Sequence, residues 1–187
     1  MCWRGTKRDR RVADKDIETY KVMYKYENKY VPYYYYIIKA YKVGETYKET
    51  LEEISIYDSK YLPWIHNEKD AIKIENGFHS YSSENTDIAH RKMYNTEGFA
   101  MLTKDNSLLD YYGEGYLTND NEPIKVGWSK DPVNLEDKLY VVKCIIPKGS
   151  TYYENDKGEI VSDTIIITGD EIPRDAFANV LSEENNV

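Results

Sequence analysis

Three groups of residues have the chemistry to hold a flat, negatively charged guest. Arg4, Lys7, Arg8, Arg10 and Arg11 crowd the start of the chain, and guanidinium and ammonium groups meet phosphates through charge-assisted hydrogen bonds. Tyr33, Tyr34, Tyr35 and Tyr36 follow one another, and a base stacks on such rings at about 1–3 kcal/mol each. His79, Tyr81 and Ser82 share one short stretch after Gly77 and add polar groups of a binding wall. The ligand-binding set read from the sequence is therefore Arg4, Arg8, Tyr33, Tyr35, His79, Tyr81 and Ser82. Its ligand is a small anionic, nucleotide-like molecule, held without catalysis and without a cofactor.

Other chemistry finds less support. His66, His79 and His90 are widely spread, and no CxxC, HExxH or EF-hand pattern occurs, so no metal site is expected. Asp87 and His90 could share a helix face, but they read as a solvated pair. A P-loop is absent, and Gly113-Glu114-Gly115 places a carboxylate where a phosphate would sit. Met1-Cys2 would expose an N-terminal cysteine nucleophile if the methionine were removed. Cys144, inside an apolar run, reads as a small buried hydrophobe.

The formal charge of −8 opposes a general affinity for duplex nucleic acid, whose phosphates it repels. No run approaches the roughly 20 apolar residues of a membrane span. The start MCWRGTKRDRR has no apolar secretory core, and cysteine usage fits a cytoplasmic location. The length of 187 residues suits one domain, with a basic arm over 1–12 and a frayed tail over 182–187. A homo-oligomer stays open. Tyrosine is the compositional outlier, with 20 against 3 phenylalanines. Each ring brings a hydroxyl that needs a partner when buried, which suggests a thin, partly wet sheet or a polar contact surface.

The elements that must position these residues are mostly strands. The run 139–168 is the organising stretch. Leu139–Ile146 is apolar except for Lys143, as in a strand covered on both faces. Pro147-Lys148-Gly149 stops it, Thr151-Tyr152-Tyr153 restarts it, and the turn at 155–158 leads into a single strand over 160–168. Ile17–Tyr26 alternates, with Tyr20, Val22, Tyr24 and Tyr26 on a buried face and Lys21 and Lys25 outside. A further strand begins after Pro32. The stretch 45–56 reads equally as helix or strand, and a short helix or turn is placed near 68–75. Residues 87–94 have N-cap candidates before them and Arg91 and Lys92 at their end, which predicts a helix. Residues 174–181 give a second. The fold class expected is α+β: a mostly antiparallel, twisted β-sheet core with one or two short helices. The run 96–132 is the least regular, with candidate strands over 108–112 and 124–128 within it, and it has a claim on a binding site, because long loops in compact domains are often functional.

The order of these segments carries a resemblance. An early strand TYKV, then Gly77-Phe78-His79-Ser80-Tyr81-Ser82-Ser83, then VVKCIIPKGSTYY before EIVSDTIII, resembles the ADP-ribosyltransferase-like layout. That family builds a nicotinamide-dinucleotide cleft from such pieces. Where it has an early-strand Arg or His this chain has Lys21. Where it has a catalytic Glu ahead of the late turn, Tyr140 or Val142 stands. The resemblance thus implies the scaffold without its chemistry. Its enzymatic alternative, action on NAD, would use His79, Tyr81 and Glu159, the last by analogy with the late glutamate of the polymerase branch. The stretches MCWRG, GFHSYSS and CIIPKGSTYY are also similar to small tyrosine-rich proteins of gut bacteria and their phages. Compact phage proteins often counter host defence by sequestering a nucleotide-derived signal. A protein-binding inhibitor with a tyrosine-rich sheet edge is the third class.

Overall fold

The computed structural model describes residues 3–26, 29–32, 41–56, 70–83, 99–103, 111–116, 123–129 and 139–172. In chain order the strands are β1 Trp3–Thr6, β2 Arg10–Val12, β3 Ile17–Tyr26, β4 Lys29–Pro32, β5 Tyr41–Lys42 and β6 Thr46–Lys48. Next come β7 Ile54–Ser55, β8 Ala71–Ile74, β9 Phe78–Ser82, β10 Phe99–Thr103, β11 Tyr111–Tyr116 and β12 Pro123–Ser129. The chain closes on β13 Leu139–Ile146, β14 Thr151–Glu154, β15 Glu159–Ser162 and β16 Thr164–Ile172.

A ten-stranded antiparallel sheet dominates, in the order β2-β14-β15-β9-β3-β13-β16-β6, with β4 paired to β3 and β5 to β4. Two three-stranded sheets accompany it, β1-β8-β7 and β10-β12-β11. The expectation of an α+β domain is overturned: the protein is all-β, and no helix reaches seven residues among the described ones. The predicted helix or turn near 68–75 shows why. Ala71-Ile72-Lys73-Ile74 pairs in register with β1, Trp3 opposite Ile74 and Thr6 opposite Ala71. Tertiary pairing overrides a helix preference that is weak over so short a run. The ambiguous 45–56 stretch likewise resolves into β6 and β7. The helices placed over 87–94 and 174–181 lie outside the described residues. No described helix is long and apolar enough to cross a membrane.

Three connections fall together in the large sheet, at the bend of Asp163. Residues 13–16 join β2 to β3, 147–150 join β13 to β14, and Asp163 joins β15 to β16. On one side of this corner lie β3, β13, β16 and β6; on the other lie β2, β14 and β15. Strands that pass between two sheet directions through bends make such corners. The predicted single strand over 160–168 is therefore two strands in different neighbourhoods, with β15 pairing β9 and β14, and β16 pairing β13 and β6. The corner is stapled. The Ala13 N–H donates to the Ser150 carbonyl at 2.9 Å and the Gly149 N–H to the Ala13 carbonyl at 2.8 Å. Gly149 stands at φ +87°, a conformation that favours glycine at the third position of this turn.

Among the described residues, three buried clusters hold the large sheet and the β1-β8-β7 sheet. Met23, Phe78, Val142, Cys144, Ile165 and Ile167 centre the largest, ringed by Tyr30, Tyr41 and Tyr47. Trp3, Ile72 and Ile74 of the small sheet pack on Tyr153 and Val161. Ala13, Ile146, Tyr152 and Ile160 fill the inside of the corner. Part of the tyrosine excess is structural: three buried rings reach carboxylates with their hydroxyls. Tyr30 donates to Glu171 Oε1 at 2.5 Å and Tyr47 to Glu45 Oε2 at 2.9 Å, and Tyr153 donates to Glu53. β13 is covered on both faces as its sequence predicts, with Val141 and Val142 both buried. In β3 the alternation misleads. Lys21 points into the core beside Thr19 and Met23, while Tyr20 is half-exposed.

Candidate functional site

Polar side chains gather in two places. The first is the face of β9 and β15 that lies under β1. Antiparallel pairing sets Glu159 opposite Tyr81 and Val161 opposite His79. Direct partners share a face, as do residues two apart, so His79, Tyr81 and Glu159 come to one side of the sheet. Arg4 is tied to the same place by Asn155, whose Nδ2 donates to the Arg4 carbonyl at 3.2 Å and to Glu159 Oε2 at 3.0 Å.

This place is sealed rather than open. Trp3 lies 2% exposed, donates through Nε1 to the Glu159 carbonyl at 2.8 Å and meets the Tyr153 ring at a 5.4 Å centroid separation. Its ring sits so tightly on β1 that a Cβ at Gly5 would run into it. His79 and Tyr81 are both buried. Burial drives the His79 imidazole down to about 3, helped by the Lys21 charge, and His79 Nε2 has no hydrogen-bond partner among the described residues. A histidine so held stays neutral at ordinary pH and cannot serve as an acid–base group near neutrality.

Behind His79, on the other face of β9, Lys21 is buried and donates from Nζ to the His79 carbonyl at 2.5 Å. Burial lowers its ammonium to about 8, with Cys144 nearby pulling the other way. The Cys144 thiol is itself pushed up to about 12 by burial, so it is an inert thiol. Thr19 Oγ1 and Ser80 Oγ are buried without partners among the described residues. These groups form a polar seam through the core.

The second place is a groove of about 600 Å³ on the outer side of the corner. β6 supplies Thr46 and Lys48, the 147–150 turn supplies Lys148 and Ser150, and Glu49 and Thr164 complete the walls. The pairing of Lys48 with Thr164 and of Thr46 with Ile166 puts all four side chains on one face. Asp163 also borders the groove, but its carboxylate is committed. Oδ2 accepts the Thr151 N–H at 3.0 Å and Oδ1 the Thr164 hydroxyl at 2.8 Å. Lys148 is held through its backbone, its N–H donating to Asp16 Oδ1 at 2.8 Å, and it is exposed at the groove.

The residues predicted for the site are distributed unevenly. His79 and Tyr81 lie together and closed, and Ser82, half-buried, follows on the opposite face of β9. Arg4 is exposed on β1, and exposed Arg8 pairs with Asp70 at 3.4 Å. Tyr33 and Tyr35 lie outside the described residues. None of the described residues of that set lines the groove. Sequence reasoning read Pro147-Lys148-Gly149 only as a strand stop; a lysine and a serine carried on a tight glycine turn were the available signal. Among the described residues no three His, Cys, Asp or Glu side chains are placed to hold a metal ion. No family model matches the sequence, and neither a curated protein nor a solved structure matches it.

Proposed function

We propose that the chain is a binding protein that takes a small, phosphate-bearing, nucleotide-like ligand into the corner groove and does not transform it. The observation that carries this reading is the composition of the groove wall. Two lysines, Lys48 and Lys148, come from separate segments, with Glu49 and several hydroxyl-bearing residues beside them. Ammonium groups complement phosphate. A free carboxylate accepts from sugar hydroxyls, as it does in dinucleotide sites. Pro147 and Ile166 offer the apolar patch on which a base or sugar can lie. The volume falls within the range of small-molecule sites, about 300–1,000 Å³. Retention without turnover is the behaviour that sequestration of a nucleotide-derived signal requires.

The test is release. The full chain is incubated with cell extract, repurified and heated, and the supernatant is analysed by mass spectrometry. A chemically unchanged phosphate-bearing molecule is expected from the wild type, and at least about tenfold less from Lys48→Glu/Lys148→Glu, since each charge-assisted bond contributes about 1.5–3 kcal/mol. Equal release from both proteins, or none from either, overturns the reading. Turnover of added NAD that Glu159→Gln abolishes would replace it with the enzymatic alternative.

A further inference from the structure

The large sheet ends at β2, whose only strand partner among the described residues is β14. Ala13 N–H donates to Ser150, and Arg11 stands opposite Tyr152 two residues on. In an antiparallel ladder the bonded residues alternate. Ala13 and Arg11 therefore turn their backbone groups toward β14. The N–H and carbonyl of Val12 and the carbonyl of Arg10 face outward. Arg10, Arg11 and Val12 are all exposed, Val12 to 64%. An extended edge with outward backbone groups is a template for another strand.

The charge around this edge opposes the charge of the whole. The chain carries −8, yet Arg4, Lys7, Arg8, Arg10 and Arg11 cluster on β1, β2 and the turn between them. Two of the five are neutralised, Arg8 by Asp70 at 3.4 Å and Arg11 by Glu154 at 3.1 Å. Arg4, Lys7 and Arg10 are exposed without an acidic partner within ion-pair distance among the described residues. A second copy pairing through β2 would set arginines against arginines, which is destabilising. The edge is thus guarded against itself and complementary to an acidic strand.

We propose that β2 is a docking edge for an extended, acidic segment of another protein, which adds to the sheet beyond β2. Backbone bonds to Val12 and Arg10 supply the register, and glutamate or aspartate at alternate positions meets Arg10 and its cationic neighbours. This is strand addition with charge selecting the partner. It is independent of the corner groove.

The probe is a fluorescein-labelled peptide of alternating glutamate and valine, with a lysine–valine peptide as control, read by anisotropy. The glutamate peptide is expected to bind at least about tenfold more tightly than the control and to weaken as salt screens the charges. Val12→Pro removes an outward N–H that makes no native ladder bond, so the fold persists, checked by circular dichroism, and binding falls about tenfold or more. Should that variant unfold, Arg10→Glu/Arg11→Glu supplies the same loss. Slowed exchange of the Val12 amide on peptide addition reads the contact in the unaltered protein. Lys48→Glu/Lys148→Glu leaves peptide binding unchanged. Equal binding of both peptides, or full binding by folded Val12→Pro, overturns the proposal. So does a concentration-dependent dimer that Val12→Pro abolishes, because the occupant is then a second copy.

Discussion

The face beneath β1 and the groove at the corner both collect polar side chains, and they treat them in opposite ways. Under β1, His79 and Tyr81 are enclosed. Trp3 covers Glu159 with a hydrogen bond to its carbonyl, and among the described residues His79 Nε2, Thr19 Oγ1 and Ser80 Oγ are buried without partners. At the corner, groups that must hold the bend are saturated, as Asp163 is by Thr151 and Thr164, and those left over border an open groove. Burying a polar atom unpaired costs stability, whereas an exposed amine costs little and can meet a guest. A cluster of chemically able residues is therefore not a site until solvent can reach it.

The largest expected effect tests the seal. Trp3→Ala removes an indole that packs on Ile72, Ile74, Tyr153 and Val161 and deletes the bond to Glu159. Loss of a buried tryptophan costs about 3–5 kcal/mol. Thermal unfolding of this variant should drop steeply, and the remaining folded fraction should expose His79 to carbethoxylation. A stability change under about 1 kcal/mol would mean that β1 is not the lid, and the contrast between closed and open places would collapse.

Next in size is the corner. Asp163→Ala frees the Thr151 N–H and the Thr164 hydroxyl from their shared carboxylate. Two lost bonds, both to the one carboxylate, correspond to about 1–3 kcal/mol in chemical denaturation. Lys48→Ala and Lys148→Ala, which break no hydrogen bond or ion pair seen among the described side chains, should stay within about 0.5 kcal/mol of the wild type. If the lysine variants destabilise as much as Asp163→Ala, the ammonium groups are structural and the groove loses its claim to a ligand.

The same contrast explains what could be read from the sequence. β13, its turn and β14 were legible because apolar runs and Pro-Lys-Gly punctuation are local signals. Phe78–Ser82 was legible as an extended piece, and its register even brings His79 and Tyr81 beside Glu159 as the enzymatic reading needs. What sequence could not carry is coverage. Nothing in Trp3 tells that it folds onto β14 and β15, because its bond to Glu159 spans 156 residues. Lys21 was placed outward because lysine in an alternating strand usually is, while pairing with β13 on one side and β9 on the other turns it inward. The strand over 160–168 hid the bend at Asp163, since the bend depends on Thr151 and Glu49, both far along the chain, bonding to that residue. The groove was missed for the same reason: its walls come from 46–50, 147–150 and 163–166.

The smallest effect is also the most specific, because it depends on pH. His79 titrates near 3 in the folded protein, chiefly through burial and then through the Lys21 charge, and near 6.5 when unfolded. Its folded pKa is depressed, so the stability it contributes is complete above about pH 6.5 and is lost as pH falls toward 3. Between pH 6.5 and 5 the unfolded chain takes up a proton that the folded chain refuses, at a cost of about 1.5 kcal/mol. Carboxylates titrate mainly below that window, which isolates the histidine. His79→Leu should therefore remove the decline: the difference in stability between wild type and variant, measured by urea denaturation at pH 5 and at pH 6.5, should shift by about that amount in favour of the variant. Lys21 cannot mimic the signal, since its own window lies from about 8 upward. An unchanged difference would mean that water reaches His79 in solution, and the place under β1 would then rank with the groove as open to a guest.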